Sequence, residues 1–288
     1  MTKGIIDAHI HFSNIKTFFG AAEVSRVDYT LGGFLKECGE CGVEAAVCMG
    51  LAETEAGAFP DNNAETPMTA DLEKAIPKNI FVCPGINPRR LSEKNLRALD
   101  EALASESNGA RAVGLKIYAG YYHFEVFDDI YAPAYELAAK HSLPVAIHTG
   151  DTFSERGLLE YSHPLKIDRL AARYPGINFV AAHMGMPWVT DACEVAYKNR
   201  NVFLDFSGML AGDAHEINRS EHSGYLAERV KSGLDYLNDY KKIIFGTDWP
   251  IVPMGAYIDF VKKLLPEDTH EDVFRGNALR VFDRIKIE

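Results

Sequence analysis

Eight short apolar runs separated by amphipathic stretches constrain the fold of this chain more than any other feature. The runs are predicted as strands at 4–12, 43–50, 80–88, 112–118, 144–150, 177–184, 202–207 and 243–248. Most of them are continuously apolar, which is typical of parallel strands covered on both faces. The stretches between them are predicted as helices at 31–42, 92–107, 130–141, 164–174, 187–199 and 220–240.

This alternation of strands and helices predicts a parallel α/β fold, and eight strands favour a closed (β/α)8 TIM barrel. The length of 288 residues suits one such barrel. No linker or shift in composition divides the chain, so we predict a single domain over residues 1–288. A doubly wound open sheet is the alternative, and it is disfavoured because no Gly-x-Gly-x-x-Gly turn follows a predicted strand.

Composition narrows the partners and the compartment. A formal net charge of -11 argues against binding to nucleic acid or to anionic membrane surfaces. No apolar run approaches the length of a membrane span, and the N-terminus lacks a signal-peptide pattern. The five cysteines are an odd number, which suits a reducing compartment. We therefore expect a cytoplasmic protein that acts on a small molecule, and we leave a homodimer open.

Polar side chains stand at the ends of four predicted strands. His9 and His11 lie two residues apart on the first strand, so their imidazoles share one face. The fifth, sixth and eighth strands end at His148, His183 and Asp248. A buried strand that ends in such a group is costly unless the group is paired or bound. We therefore expect these strand ends to converge on a metal site.

The predicted ligands are His9, His11, His148 and Asp248, around one divalent ion. Zn²⁺ is the expected ion and Mn²⁺ is the alternative. Such an ion lowers the pKa of bound water to about 7. Asp248 would accept the proton of this water, and His183 would polarise a substrate carbonyl or carry a proton. Asp248 and His183 are thus the candidate catalytic residues.

The same residues resemble the amidohydrolase superfamily. The Asp-x-His-x-His pattern at 7–11 and the later His148, His183 and Asp248 are most similar to its amidohydrolase 2 branch. That branch includes aminocarboxymuconate-semialdehyde decarboxylase and various hydrolases. The resemblance extends over essentially the whole chain and includes the segments 113–118, 147–150, 182–185 and 245–250. Residues 276–282 resemble the closing helix of the branch, so the resemblance implies a barrel with a C-terminal helix.

Lys116 ends the fourth predicted strand and has two interpretations. Related enzymes with two metals carry a carboxylated lysine that bridges both ions, and His148 and His183 would complete that set. In the branch that the chain resembles most, one metal is usual and the lysine is not a bridge. We therefore expect one metal, with Lys116 binding a substrate carboxylate or a neighbouring acid.

Three further residues are candidates for substrate binding. Tyr118 follows the fourth predicted strand, on the face where a barrel carries its active site. Trp249 is next to Asp248 and is predicted to line the pocket. Arg89 follows the third strand and is either a clamp for an anionic substrate or a solvated surface residue. The acidic loop at 51–67 is long enough to act as a lid.

Three functions fit these residues. The first is hydrolysis of an ester, lactone or amide by metal-activated water. The second is metal-dependent, non-oxidative decarboxylation of an aromatic or unsaturated acid, a lyase reaction known in the branch. No arginine is placed unambiguously to anchor a carboxylate, and several aromatic-acid decarboxylases of the branch carry Glu where this chain has His9. The third is a metal-binding barrel without catalysis, which the intact Asp248 and His183 disfavour. We therefore predict a hydrolase.

Overall fold

Ten parallel strands form the centre of the computed structural model, which describes residues 4–12, 16–51, 77–104 and 111–287. The strands are β1 Ile5–Ile10, β2 Val43–Met49, β3 Ile80–Cys83, β4 Gly85–Ile86, β5 Arg111–Ala112, β6 Leu115–Ile117, β7 Val145–Ile147, β8 Phe179–Ala181, β9 Val202–Asp205 and β10 Ile243–Ile244. Each lies within or at the edge of a predicted strand. Apart from Leu51, the acidic loop predicted as a lid lies outside the described residues.

Hydrogen bonds join the strands in the orders β1-β2-β3-β5 and β10-β9-β8-β7-β6-β4. Only Pro84 separates β3 from β4, and only two residues separate β5 from β6, so each pair is one interrupted strand of a barrel. Backbone bonds also connect the first strand with the last. Ala8 N donates to Phe245 O at 2.9 Å, and His11 N donates to Trp249 O at 2.7 Å. The chain thus forms the predicted (β/α)8 TIM barrel.

Helices follow the strands along the chain. They are α1 Lys16–Ser25, α2 Leu31–Cys41, α3 Glu93–Ala104, α4 Ala132–Lys140, α5 Leu159–Ser162, α6 Leu165–Arg173, α7 Val189–Lys198, α8 Ala214–Ile217, α9 Ser220–Leu237, α10 Met254–Leu264 and α11 Asn277–Val281. The six predicted helices are present with small differences at their described ends, and α11 is the expected C-terminal helix. Residues 105–107 of the helix predicted at 92–107 lie outside the described residues. In the described ranges, no helix has the length and apolar character needed to cross a membrane.

Alternate residues of the strands belong to two buried clusters. Val47 and Phe81 lie in the cluster that also contains the C-terminal Phe282. Their neighbours Cys48 and Val82 lie in the larger cluster that includes helix residues. Successive side chains of a strand point to opposite faces, so the strands are covered on the inside of the barrel and on the helix side. This explains why the strands read as continuous apolar runs.

Phe282 is expected to contribute strongly to stability. Its side chain is fully buried in the inner cluster with Phe81 and Val113. Phe282→Ala should lower the free energy of unfolding by about 3–5 kcal/mol, because it removes apolar contacts and leaves a cavity. The measurement is urea unfolding followed by circular dichroism. Phe153→Ala is the control, since Phe153 is 59% exposed and should change stability by less than about 0.5 kcal/mol. Equal losses in the two variants would contradict this assignment.

Candidate metal centre and active site

The polar strand ends lie together at the carboxyl ends of the strands. They surround the base of a cavity of about 370 Å³. Its polar lining includes His11, Lys116, His148, His183 and Asp248. An active site at this face is the usual arrangement in a (β/α)8 barrel. The ends of these strands, which the sequence indicated as ligand positions, thus lie around one cavity.

His9, His11 and Asp248 form the tightest group. Asp248 Oδ1 lies 3.0 Å from His11 Nε2 and 3.3 Å from His9 Nε2. This oxygen is buried and has no hydrogen-bond partner. Metal–ligand bonds of about 2.0–2.2 Å place neighbouring ligand atoms roughly 3.0–3.5 Å apart. The three side chains therefore have the spacing of ligands around a metal ion.

Asp7 holds the segment that carries Asp248. Its Oδ1 accepts a hydrogen bond from Thr247 N at 3.0 Å, and its Oδ2 accepts one from Thr247 Oγ1 at 2.6 Å. Asp248 N in turn donates to His9 O at 2.8 Å, and Asp248 has a φ of 66°, in the left-handed region. Burial raises the pKa of Asp7 to about 7. These bonds fix the backbone that directs the Asp248 carboxylate toward the two histidines.

Asp205, at the end of β9, fixes the tautomer of His9. His9 Nδ1 lies 2.8 Å from Asp205 Oδ2. Because an ionised carboxylate only accepts, Nδ1 carries the proton and His9 Nε2 presents a lone pair to Asp248 Oδ1. Two acceptors 3.3 Å apart repel each other unless a cation lies between them. A histidine backed by a carboxylate is the usual support of a metal ligand.

The charge states of these groups suit a metal site. Burial would raise the pKa of Asp205, but the adjacent His9, His183 and Ser207 hold it well below its ordinary value. Burial also opposes ionisation of Asp248, but His183 and His11 lower its pKa. Burial and the nearby Lys116 lower the pKa of His9 to about 3. At neutral pH the site therefore presents carboxylates and a neutral imidazole, the forms that bind metals.

His183 and His148 form a separate pair. His183 Nδ1 donates to Ser207 O at 3.0 Å, and His148 Nε2 donates to Asp151 O at 2.8 Å. The remaining nitrogens, His183 Nε2 and His148 Nδ1, lie 3.2 Å apart. Burial lowers the pKa of both imidazoles. Because the outer nitrogen of each ring donates to a carbonyl oxygen, the two facing nitrogens carry the lone pairs, and either could accept a proton.

The predicted ligand set is therefore gathered only in part. Among the described residues, the groups with ligand spacing are His9–His11–Asp248 and His9–His183–Asp205. His148 belongs to neither group, because its ring turns toward His183. In the second group, the 2.8 Å contact between His9 and Asp205 is a hydrogen bond. We therefore regard Asp205 as a support for His9 and the first group as the metal centre.

Lys116 lies beside this group and also lines the cavity. It is fully buried, and its Nζ lies 3.5 Å from His9 Nε2 and 5.2 Å from the centre of the Tyr118 ring. Burial lowers its pKa to about 8. Tyr118 also lines the cavity, and its hydroxyl donates to Gly50 O at 3.0 Å. Both residues are placed where a substrate would contact them.

Two predicted substrate contacts lie elsewhere. Trp249 is fully buried against Phe12 and Phe34, and its Nε1 donates to Glu37 Oε1 at 3.2 Å. These contacts hold the Trp249 side chain in the core, away from the cavity that Asp248 lines. Arg89 is exposed, with its guanidinium 5.6 Å from the centre of the Phe124 ring. Neither side chain lines the cavity, so we withdraw both as substrate contacts.

Three residues of the site were not predicted from the sequence: Asp205, Ser207 and Gly208. Asp205 ends a buried strand, which is the signal that identified the other strand ends. Gly208 has a φ of 60°, and a Cβ there would lie 2.6 Å from His183 Nδ1 and 2.7 Å from Asp248 Oδ2. Its lack of a side chain lets the backbone approach both candidate catalytic groups.

Comparisons with known proteins identify the family and the fold of this chain. The amidohydrolase family model matches residues 6–284, whereas no curated protein sequence matches the chain. An amidohydrolase from Burkholderia multivorans with bound zinc has a similar fold, with a TM-score of 0.66 and 15% identity over 97% of this chain and 99% of that one.

Two further solved structures have the same fold. The 5-carboxyvanillate decarboxylase of Sphingomonas paucimobilis has a TM-score of 0.65 and 18% identity over 99% of this chain and 100% of that one. A probable 2-pyrone-4,6-dicarboxylic acid hydrolase of Acinetobacter baumannii has a TM-score of 0.62 and 13% identity over 98% of this chain and 100% of that one. Because the family model covers nearly all of its length, this chain belongs to the amidohydrolase family.

Proposed function

We propose that this protein is a metal-dependent hydrolase that cleaves an ester, lactone or amide bond of a small molecule. One observation carries the proposal: the buried Asp248 Oδ1 has no hydrogen-bond partner and lies 3.0 Å and 3.3 Å from Nε2 of His11 and His9. A divalent ion bound there would supply Lewis acidity toward water and a substrate carbonyl. We propose Zn²⁺, with Mn²⁺ as the alternative, and His148 as a further ligand.

The side chains around this point provide proton transfer. Asp248 is ionised and would accept a proton from the attacking water and return it to the leaving group. His183 Nδ1 lies 4.0 Å from Asp248 Oδ2 on the other side of the carboxylate. Its Nε2 would take up a proton and stabilise charge that develops on the substrate. The two candidate catalytic residues thus lie on one wall of the cavity.

The charge of the cavity favours a neutral substrate or a monoanion. Asp151 and Asp248 line it, and Lys116 is the cation among its described lining residues. A divalent ion would leave this lining with one excess positive charge. A volume of about 370 Å³ is ordinary for a small-molecule site. These features suit a compact ester, lactone or amide better than a strongly anionic substrate.

Decarboxylation is the second candidate, and Lys116 favours it. Its buried ammonium group lies 3.5 Å from His9 Nε2, so it could anchor a carboxylate beside the metal centre. The similar fold of a 5-carboxyvanillate decarboxylase is compatible with this reaction. We favour hydrolysis for two reasons. This chain has His9 where several aromatic-acid decarboxylases of the branch carry Glu, and Lys116 is the one cation among the described lining residues.

We expect elemental analysis of the purified or zinc-reconstituted protein to give one metal ion per chain. Chains with metal should then hydrolyse members of a panel of esters, lactones and amides, and activity should be lost on chelation and restored by Zn²⁺ or Mn²⁺. Aromatic carboxylic acids tested in parallel should release no CO2.

Three outcomes would change the proposal. Two metals per chain with a carboxylated Lys116 would favour the two-metal alternative. CO2 release without hydrolysis would favour the decarboxylase. Absence of metal after reconstitution would contradict both reactions.

A further inference from the structure

A second groove continues outward from the cavity. It has a volume of about 420 Å³ and shares five lining residues with the cavity. These shared residues are Thr17, Ala21, Phe153, Ala211 and Ile251. The groove therefore adjoins the candidate active site and is not an isolated surface feature.

The groove is apolar. None of its described lining residues is charged, and its two hydroxyl side chains are Thr17 and Ser25. Ser25 is buried, and its Oγ donates to Ile251 O at 2.5 Å, so its polarity is already satisfied. Val24 and Phe153 border the groove and are 70% and 59% exposed. Exposed apolar side chains around a groove are typical of a binding surface.

The shape of the groove suits a narrow chain. Ala21, Ala211 and Gly212 contribute small side chains or none, and a Cβ on Gly20 would meet no atom within 4 Å. Ile251 forms part of the groove wall and is hydrogen-bonded to the active site, since Ile251 N donates to Asp248 O at 3.1 Å. A substrate whose reactive bond lies at Asp248 could therefore extend along this wall into the groove.

We propose that the substrate carries an unbranched alkyl or acyl arm that lies in this groove. The inference rests on the proposed function and narrows its substrate class to esters, lactones or amides with an apolar chain. The cavity would hold the reactive group, and the groove would remove the chain from water. Binding should therefore strengthen about two- to fourfold for each methylene that the groove buries.

Calorimetry with alkyl carboxylates from acetate to decanoate tests the groove without relying on turnover. The dissociation constant should fall steadily with chain length in the wild-type protein. Gly20→Trp should abolish this dependence, because the indole would fill the groove. Gly39→Trp is the matched control: Gly39 also lies in a helix, its Cβ would meet no atom within 4 Å, and it does not line the groove.

A second variant and a turnover assay complete the test. Val24→Asp changes an exposed side chain and should weaken only the longer carboxylates. With p-nitrophenyl esters, kcat/KM should rise with acyl length in the wild type and in Gly39→Trp, and Gly20→Trp should remove the rise.

Equal chain-length dependence in wild type and Gly20→Trp would overturn the proposed arm, as would no dependence in the wild type. A preserved binding dependence without hydrolysis of any ester, lactone or amide would keep the groove assignment and reject the hydrolase.

Discussion

Asp248→Asn is expected to lower turnover by about 10²–10⁴-fold, the usual contribution of a general acid–base group. Asparagine keeps the size of the side chain and one oxygen but removes the charge and the proton acceptor. The variant should also bind metal more weakly, because the carboxylate that faces His9 and His11 becomes a neutral amide. The measurements are turnover on a confirmed substrate and metal content by elemental analysis.

His183→Asn should separate catalysis from metal binding. His183 lies outside the group formed by His9, His11 and Asp248, so this variant should keep its metal. Its turnover should still fall by several orders of magnitude, because the variant lacks the imidazole that carries a proton and stabilises charge on the substrate. Asp151→Asn is the control for both variants, since Asp151 is an exposed carboxylate that lines the same cavity.

The outcomes of this pair distinguish the alternatives. If His183→Asn lost metal as completely as His9→Ala, His183 would be a ligand and the two-metal set with Lys116 would become the better account. If both variants kept near-normal turnover on a confirmed substrate, the assigned roles would be wrong whatever the fold. A loss in Asp151→Asn as large as theirs would indicate a general effect of cavity charge.

The barrel could be predicted because its strands are buried on both faces. A run such as Phe179 to Ala182 is apolar on both faces, so its strand type and its end at His183 are visible in the sequence. A helix was harder to predict when only a small part of one face carries buried apolar side chains. α1 has Gly20 in its middle and exposes Phe19 and Val24, so it lacks the apolar stripe that marks an amphipathic helix.

The convergence of the strand ends was predictable, but their individual contacts were not. Strand order places the end of β7 beside the end of β8, whereas the orientation of the His148 ring depends on the Asp151 carbonyl in a loop. Trp249 shows the same limit: it follows Asp248 in the sequence, but its side chain packs against Phe12 and Phe34 and does not line the cavity. Local chain direction, and not proximity in sequence, decides which side chains enter a cavity.

Asp205 is a polar residue at a strand end, so its position could have been noticed in the sequence. It ends β9 as His148 follows β7, but a carboxylate that binds no metal itself is recognised only by the histidine that it contacts. Its Oδ2 accepts from His9 Nδ1 at 2.8 Å, and its Oδ1 accepts from Ser207 N at 2.8 Å and from His183 N at 3.3 Å. Asp205 therefore links the metal centre to the candidate proton carrier.

Asp205→Asn should lower metal affinity by about 10–100-fold, the usual cost of losing the partner of a metal-bound histidine. The side-chain amide of asparagine cannot accept hydrogen bonds both from His9 Nδ1 and from the backbone N–H groups of Ser207 and His183. If its NH2 group faces His9, the ring loses its acceptor and its tautomer changes. If the NH2 group faces Ser207 and His183, it meets two backbone N–H donors. Turnover at limiting metal should fall with the affinity, and excess Zn²⁺ should restore part of it.

Competition with a chelator of known zinc affinity gives the measurement, and Asp168→Asn is the matched control. Asp168 is a surface carboxylate that accepts from Lys198 Nζ at 2.6 Å, so its loss should leave metal affinity unchanged. Wild-type zinc affinity in Asp205→Asn would show that the carboxylate does not support His9. If Asp205→Asn instead lost metal as completely as Asp248→Asn, Asp205 would be a ligand itself, and the group of His9, His183 and Asp205 would be the metal centre.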